Sequence, residues 1–268
     1  LVDQIRGLLS ETTPAERIYQ SITTSPPARD LPDFRLTEAG GPAATRVLIR
    51  PSGKPLSEGI EGIYTRRGFH DFFLPEILKV GDRLRDEAWV LGPRGQVETS
   101  PQALSRLGRD VLDLYYNDYV ARYDGLLADI DIVPVESLSH AAEVVNTLSG
   151  PTSPLVNILE GVDEETRLST PRDQALVDAE GAKGAAQSLA KDEIVSRLDS
   201  SALGLVEALT SAARIEDETE DEKPGEYVED RFAALHALVT ADEGAPSQLD
   251  DVIASMTEVY RDLNRLTL

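Results

Sequence analysis

The sequence predicts a mainly α protein: elongated multi-helix bundles joined by irregular Pro/Gly-rich connections, with at most minor β-structure. Three observations carry that expectation. Ser or Thr followed directly by Pro opens a helical pattern at Thr13-Pro14, Ser100-Pro101, Ser153-Pro154 and Thr170-Pro171. Long windows repeat apolar residues at about 3.6-residue spacing, as an amphipathic helix requires. Strand signals, by contrast, are short and few.

The Ser/Thr-Pro device has a plain mechanism. The hydroxyl at the N-cap accepts a free backbone N–H, and proline at the first helical position loses no bond and presets φ. Thr13 also has Glu16 three residues on, which predicts a capping box. Between Ser25 and Gly62, "SPPARDLP" and "EAGGP" break regular structure, so irregular chain with short turns is expected. The segment 66–84 then presents Phe69, Phe72, Phe73, Ile77, Val80 and Leu84 on one helical face. Thr65 stands at its cap, and Pro75 inside the pattern should kink or restart the helix.

The longest stripe runs Leu104, Leu107, Val111, Leu114, Tyr115, Tyr119, Tyr123, Leu126, Leu127 and Ile130. Residues 135–149, 154–162 and 226–240 read as further helices. At the end, Leu249, Val252, Met256, Val259, Leu263 and Leu266 alternate steps of three and four, the pattern of a bundle or short coiled-coil seam too brief to demand a supercoil. Only "TRVLIR" (45–50) and "DIDIVPV" (129–135) read as strands, and neither has a convincing hairpin partner. Chain order suggests three parts: a helical domain over 1–168, an alanine-rich helical stretch with an acidic linker over 169–225, and a helical region over 226–268. Six acids in the seven residues 216–222 repel one another and favour solvated chain.

Composition narrows the function. The 268 residues carry 48 Asp plus Glu against 26 Lys plus Arg, a formal net charge of −22. Such a surface repels phosphate backbones and anionic headgroups, so no nucleic-acid partner and no direct membrane insertion are expected. No run approaches the ~18 apolar residues of a membrane span. Leu1 in place of Met, and an end inside a helical pattern, read as cut ends. Without cysteine, the chain makes no disulfide, thiolate metal site or cysteine nucleophile.

No catalytic constellation emerges, so no enzyme activity, cofactor or metal is expected. His70, His140 and His236 lack the spacing of HExxH, and "DID" lacks the rest of a calcium loop. GxSxG, GxxxxGK[ST] and GxGxxG are absent.

Two clusters stand out. "GIYTRRGFHDFFLP" (62–75) gathers Tyr64, Phe69, Phe72 and Phe73 in a chain only 5% aromatic, beside Thr65, Arg66 and Arg67. Arginines in a first helical turn oppose the dipole and call for outside partners. An anion at the helix N-terminus and internal pairing with carboxylates both answer, and the acidity of the chain favours pairing. Tyr115, Tyr116, Tyr119 and Tyr123 lie on one side of the long helix. They are either a partner-binding stripe or, the favoured reading, an internal helix interface whose hydroxyls reach polar groups. Trp89 joins these residues as an interaction candidate.

The blocks "TPAERIYQSI" (13–22), "GIEGIYTRRGFHDFFLP" (59–75), "DEAWVLG" (86–92), "LYYNDYVARYDGLLADIDIVP" (114–134) and "SPLVNILEGVDEETRL" (153–168) resemble successive blocks of the IcmF/TssM family. This is the large inner-membrane subunit of the bacterial type VI secretion system. "VEDRFAALHALV" and "MTEVYRDLNRL" are similar to its next helical part, whereas 169–225 resembles nothing specific.

The resemblance implies a periplasmic segment of an inner-membrane-anchored protein, acting as a scaffold. The partners it implies are a TssJ-like outer-membrane lipoprotein, a TssL-like inner-membrane protein and further copies of the parent. It supplies no catalytic residue. The alternatives are an acidic helical protein-binding module unrelated to secretion and, because an envelope machine must pass through peptidoglycan, a cell-wall-acting hydrolase for which the sequence nominates no acid or nucleophile.

Overall fold

The computed structural model describes residues 12–77, 79, 101–170, 224–241 and 245–267. Trp89, Val80, Leu84, the block at 86–92, the caps at Ser100 and Pro171, and the acidic run at 216–222 lie outside them. The chain is mainly α, with one two-stranded sheet among the described residues. It divides into two compact units. One comprises Leu1–Leu31, Arg66–Asp118 and Leu168–Glu226; the other comprises Pro32–Thr65, Tyr119–Arg167 and Tyr227–Leu268. The three-part division expected from sequence follows chain order, whereas each unit gathers three separate stretches.

In the first unit, α1 (Pro14–Thr23) starts as a full capping box. Thr13 Oγ1 accepts the Glu16 N–H at 3.2 Å, and Glu16 Oε2 accepts the Thr13 N–H at 2.7 Å. Its buried face is Ala15, Ile18 and Ile22, at the 3–4 spacing of a packed helix. The one-turn helix α2 (Pro26–Arg29) follows.

Next come α5 (Arg66–Gly68), a π-helical turn at Phe69–Phe73, and α6 (Leu74–Ile77). In a straight α-helix the Pro75 ring would strike the carbonyl of residue 71. The chain instead widens by one residue just before it, and the Leu74 N–H donates to the Phe69 carbonyl five positions back. The expected kink is therefore a change of pitch, not a break. Phe69, Phe73 and Ile77 are buried and Phe72 is half-buried.

Helix α7 (Pro101–Ala128) is the longest among the described residues, with residues up to Asp118 in the first unit and those from Tyr119 in the second. Leu107, Val111, Tyr115, Tyr119, Tyr123 and Leu126 are all buried along its stripe.

In the second unit, α3 (Leu36–Ala39) and α4 (Ala44–Val47) are single turns. The expected strand at 45–50 is corrected here. Its first residues continue α4, and only β1 (Leu48–Ile49) is extended. Its partner is β2 (Asp131–Ile132), antiparallel with Leu48 opposite Ile132, so the two weak strand signals answer each other across the chain. An isolated bridge joins Phe34 to Ile60, and Gly59 is required beside it: a Cβ there would lie 2.0 Å from the Phe34 carbonyl oxygen.

Ser137 caps α8 (Leu138–Leu148), and Ser153 caps α9 (Pro154–Thr166) through the Val156 N–H. The expected helix at 226–240 is two helices, α10 (Glu226–Arg231) and α11 (Ala233–Val239), broken at Phe232. Helix α12 (Gln248–Thr267) packs on α8 and α11. Its expected seam needs correction. Leu249 is buried and Met256 and Leu263 are half-buried, but Val252, Val259 and Leu266 are exposed. The packed face is rotated toward Ile253, Thr257 and Tyr260, all half-buried.

Candidate functional site

The residues singled out in the sequence form one aromatic cluster in each unit. In the first unit, Tyr115 lies fully buried against the π-turn phenylalanines. Its ring stacks on Phe73 with centroids 3.8 Å apart and on Phe69 at 5.6 Å. Tyr19 meets Phe73 edge-on at 6.3 Å, and its hydroxyl donates to Asp118 Oδ2 at 2.5 Å. Edge-on and offset pairs of this kind add to what area burial alone supplies. The Tyr116 hydroxyl accepts the Gly225 N–H at 2.8 Å.

Arg66 and Arg67 part ways. Arg66 is buried and donates from Nη2 to the Thr170 carbonyl at 2.9 Å. Arg67 is exposed and reaches Asp71 one turn on, at 3.4 Å. Arg67 meets a carboxylate, as the acidity of the chain favours, whereas the partner of Arg66 at Thr170 is a neutral backbone carbonyl. His70 sits edge-on to Phe69 at 4.9 Å. Burial pushes its pKa down, the Arg66 charge pushes the same way, and the Leu168 backbone and Asp71 oppose them. Its Nε2 is buried with no hydrogen-bond partner.

In the second unit, Tyr119 and Tyr123 stack at 4.9 Å, with Tyr64 edge-on to Tyr119 and Phe34 and Phe232 around Tyr123. The Tyr119 hydroxyl donates to the Glu165 carbonyl at 2.7 Å. The Arg122 guanidinium lies 3.7 Å over the Tyr64 ring while its Nε bonds Glu61. Thr65, buried beside them, donates to the Gly62 carbonyl at 2.7 Å.

Sequence reasoning left three polar groupings unnoticed. Asp129, read from sequence as the start of a strand and as part of a failed calcium loop, accepts from Arg50 Nε at 2.7 Å, the Ser52 N–H at 2.9 Å and the Ser52 hydroxyl. The Ser52 bonds, with Arg50 behind them, hold its carboxyl down to about 2. His236 is buried, with Nε2 2.9 Å from Thr166 Oγ1. Burial and Arg167 lower its pKa against Asp163 and Glu229.

The third grouping is a groove of about 560 Å³ in the first unit, bordered by Glu16, Arg106, Asp110, Asp113 and Asn117. Desolvation, then Asp110, raises Asp113. Among the described residues, no three His, Cys, Asp or Glu side chains come together as a metal site. The first two groupings bring together residues tens of positions apart, and the groove joins α1 to α7, so no local motif announces any of them.

A family model described as IcmF-related (intracellular multiplication and human macrophage-killing) matches residues 1–167. The chain belongs to the IcmF-related family. It is also 35% identical over 262 residues to the type VI secretion system component TssM1 of Pseudomonas aeruginosa, covering 97% of this chain and 22% of that protein. The chain thus spans about a fifth of the length of this relative. No solved structure matches it significantly. Four of the five blocks quoted as the resemblance fall wholly inside the matched residues, and the fifth overruns them by one.

Proposed function

We propose that this chain is a structural segment of a type VI secretion membrane complex, forming part of its periplasmic portion and working without catalysis. The observation that carries the reading is the relationship to TssM1 along almost the whole chain. Packing supports it: the rings nominated as interaction residues and described here are buried or half-buried, and serve to hold helices in fixed positions. Among the described residues, no helix is long and apolar enough to cross a membrane. In this proposal the membrane anchor belongs to other parts of the longer protein. A TssJ-like lipoprotein, a TssL-like inner-membrane protein and further copies of the parent are its partners.

The test is an in-frame deletion of residues 59–134 in the full-length parent. Assembly of the membrane complex and secretion should both be lost while the remaining protein is still made and still membrane-bound. Secretion that persisted would sink the scaffold role. A purified chain that cleaved peptidoglycan, and stopped on substitution of one carboxylate, would replace it with a hydrolase.

A further inference from the structure

The groove between α1 and α7 has an apolar floor and a charged rim. Of the residues that line it, Ala15 and Leu107 are buried and Leu114 is half-buried, whereas Arg106, Asp110 and Asp113 are exposed. The α7 residues in the lining recur at three- and four-residue steps from 103 to 117, one helix face about 21 Å long. On the α1 side, the capping box of Thr13 with Glu16 fixes the first turn, so that wall needs no ordering when something binds.

The rim is electrostatically unfavourable for the chain alone. Asp110 and Asp113 stand one turn apart on the same face, a like-charge pair that weakens a helix. Desolvation raises the Asp113 carboxyl, Asp110 raises it further, and Arg109 opposes both. Glu16 makes a third carboxylate in the lining, against the single guanidinium of Arg106. A cation brought into the groove offsets that repulsion.

We propose that the groove docks one amphipathic helix of a partner protein, its apolar side chains on Leu107 and Leu114 and its lysines or arginines against Glu16, Asp110 and Asp113. Three features select that occupant. Both walls are helices, so an extended segment would find no strand edge to join, whereas a helix brings its own backbone bonds. A volume of about 560 Å³ has the size of a small-ligand pocket, which takes a row of side chains and not a folded domain. The carboxylate rim is complementary to a basic partner and repels nucleic acid and anionic lipid. The inference does not rest on the secretion reading.

The probe is a fluorescein-labelled peptide of leucine and lysine, about 14 residues long to match the groove, with its leucines on one helical face. A control peptide has the same composition with the leucines scattered. Anisotropy titrations use the whole 268-residue chain. The patterned peptide should bind, and the scattered one should bind at least about tenfold more weakly. Asp110→Asn with Asp113→Asn should weaken the patterned peptide about tenfold, the loss of two ion pairs, and should flatten its salt dependence. The same variant should melt no lower than the wild type, because it relieves a like-charge pair. That separates docking from a structural role. Asp113→Asn alone should give part of the loss. Asp251→Asn with Glu258→Gln removes two charges from exposed positions on α12 and should change the affinity less than about twofold. No binding, equal binding of both peptides, an unchanged affinity in the Asp110 and Asp113 variant, or an equal loss in the α12 variant would each overturn the proposal. So would a dimer of the chain that the Asp110 and Asp113 variant dissolves, which would give the groove to a second copy.

Discussion

Helices α7 and α12 carry equally regular apolar stripes, yet the chain uses them differently. On α7 the described stripe from Leu107 to Leu126 is buried except at half-buried Leu114, with Tyr115, Tyr119 and Tyr123 inaccessible to solvent. On α12 the alternate members Val252, Val259 and Leu266 are 46%, 51% and 71% exposed. The difference teaches what a period determines. It fixes which residues share a face, but how much of that face is covered depends on what surrounds the helix. Packed rings reach α7 from the π turn in the first unit and from Phe34, Tyr64 and Phe232 in the second. Helix α12 meets α8 and α11, and its packing line falls beside the predicted seam, through Ile253, Thr257 and Tyr260.

The largest effect should come from emptying the covered stripe. Tyr115→Ala removes a fully buried ring stacked on Phe69 and Phe73. Loss of a buried aromatic of this size costs about 3–5 kcal/mol, transfer and cavity terms together. Urea unfolding followed by circular dichroism should show that loss in the midpoint. A shift below about 1 kcal/mol would mean that the ring is not the core member its burial indicates.

A subtler change separates ring from hydroxyl. Tyr119→Phe keeps the stack on Tyr123 and removes the donor to the Glu165 carbonyl. The expected cost is about 1 kcal/mol, the net value of one hydrogen bond. A cost equal to that of Tyr115→Ala would show that the tyrosines act through polar anchoring and not through ring packing.

How far the sequence spoke depended on the range of the interactions. Caps are local, so Thr13 with Glu16 and Ser153 with Pro154 could be recognised from a few residues, and the structure contains both. The aromatic stripe was legible because a helix enforces its own period. The pitch change at Phe69–Phe73 was half legible: Pro75 announced a disturbance, but whether the helix breaks or widens depends on Phe69 and Phe73 staying packed on Tyr115. The Leu48–Ile132 pairing was illegible as a pair, since two strands of two residues each carry almost no propensity signal. The same holds for the contact of Leu168 with Gly225, where a φ of +92° and a Leu168 Cβ only 2.5 Å from any Cβ at 225 admit glycine alone. Pro-Gly at 224–225 reads as a turn, and nothing nearby names a leucine 57 positions away as the reason for the glycine.

The exposed half of the α12 seam gives the smallest expected effect and the sharpest contrast. Val259 is half exposed on a helix whose packing face lies to one side, so Val259→Ser removes little area that folding had withdrawn from water. Serine and valine have similar helix propensities, and the backbone should not discriminate between them. The stability change should stay within about 0.5 kcal/mol, as at an ordinary surface position. The same substitution at Val111, fully buried on α7, is the proper control, because it costs both packing and an added hydroxyl to satisfy. If Val259→Ser cost as much as Val111→Ser in the isolated chain, the seam would be covered in solution after all, and the contrast between the two helices would fail.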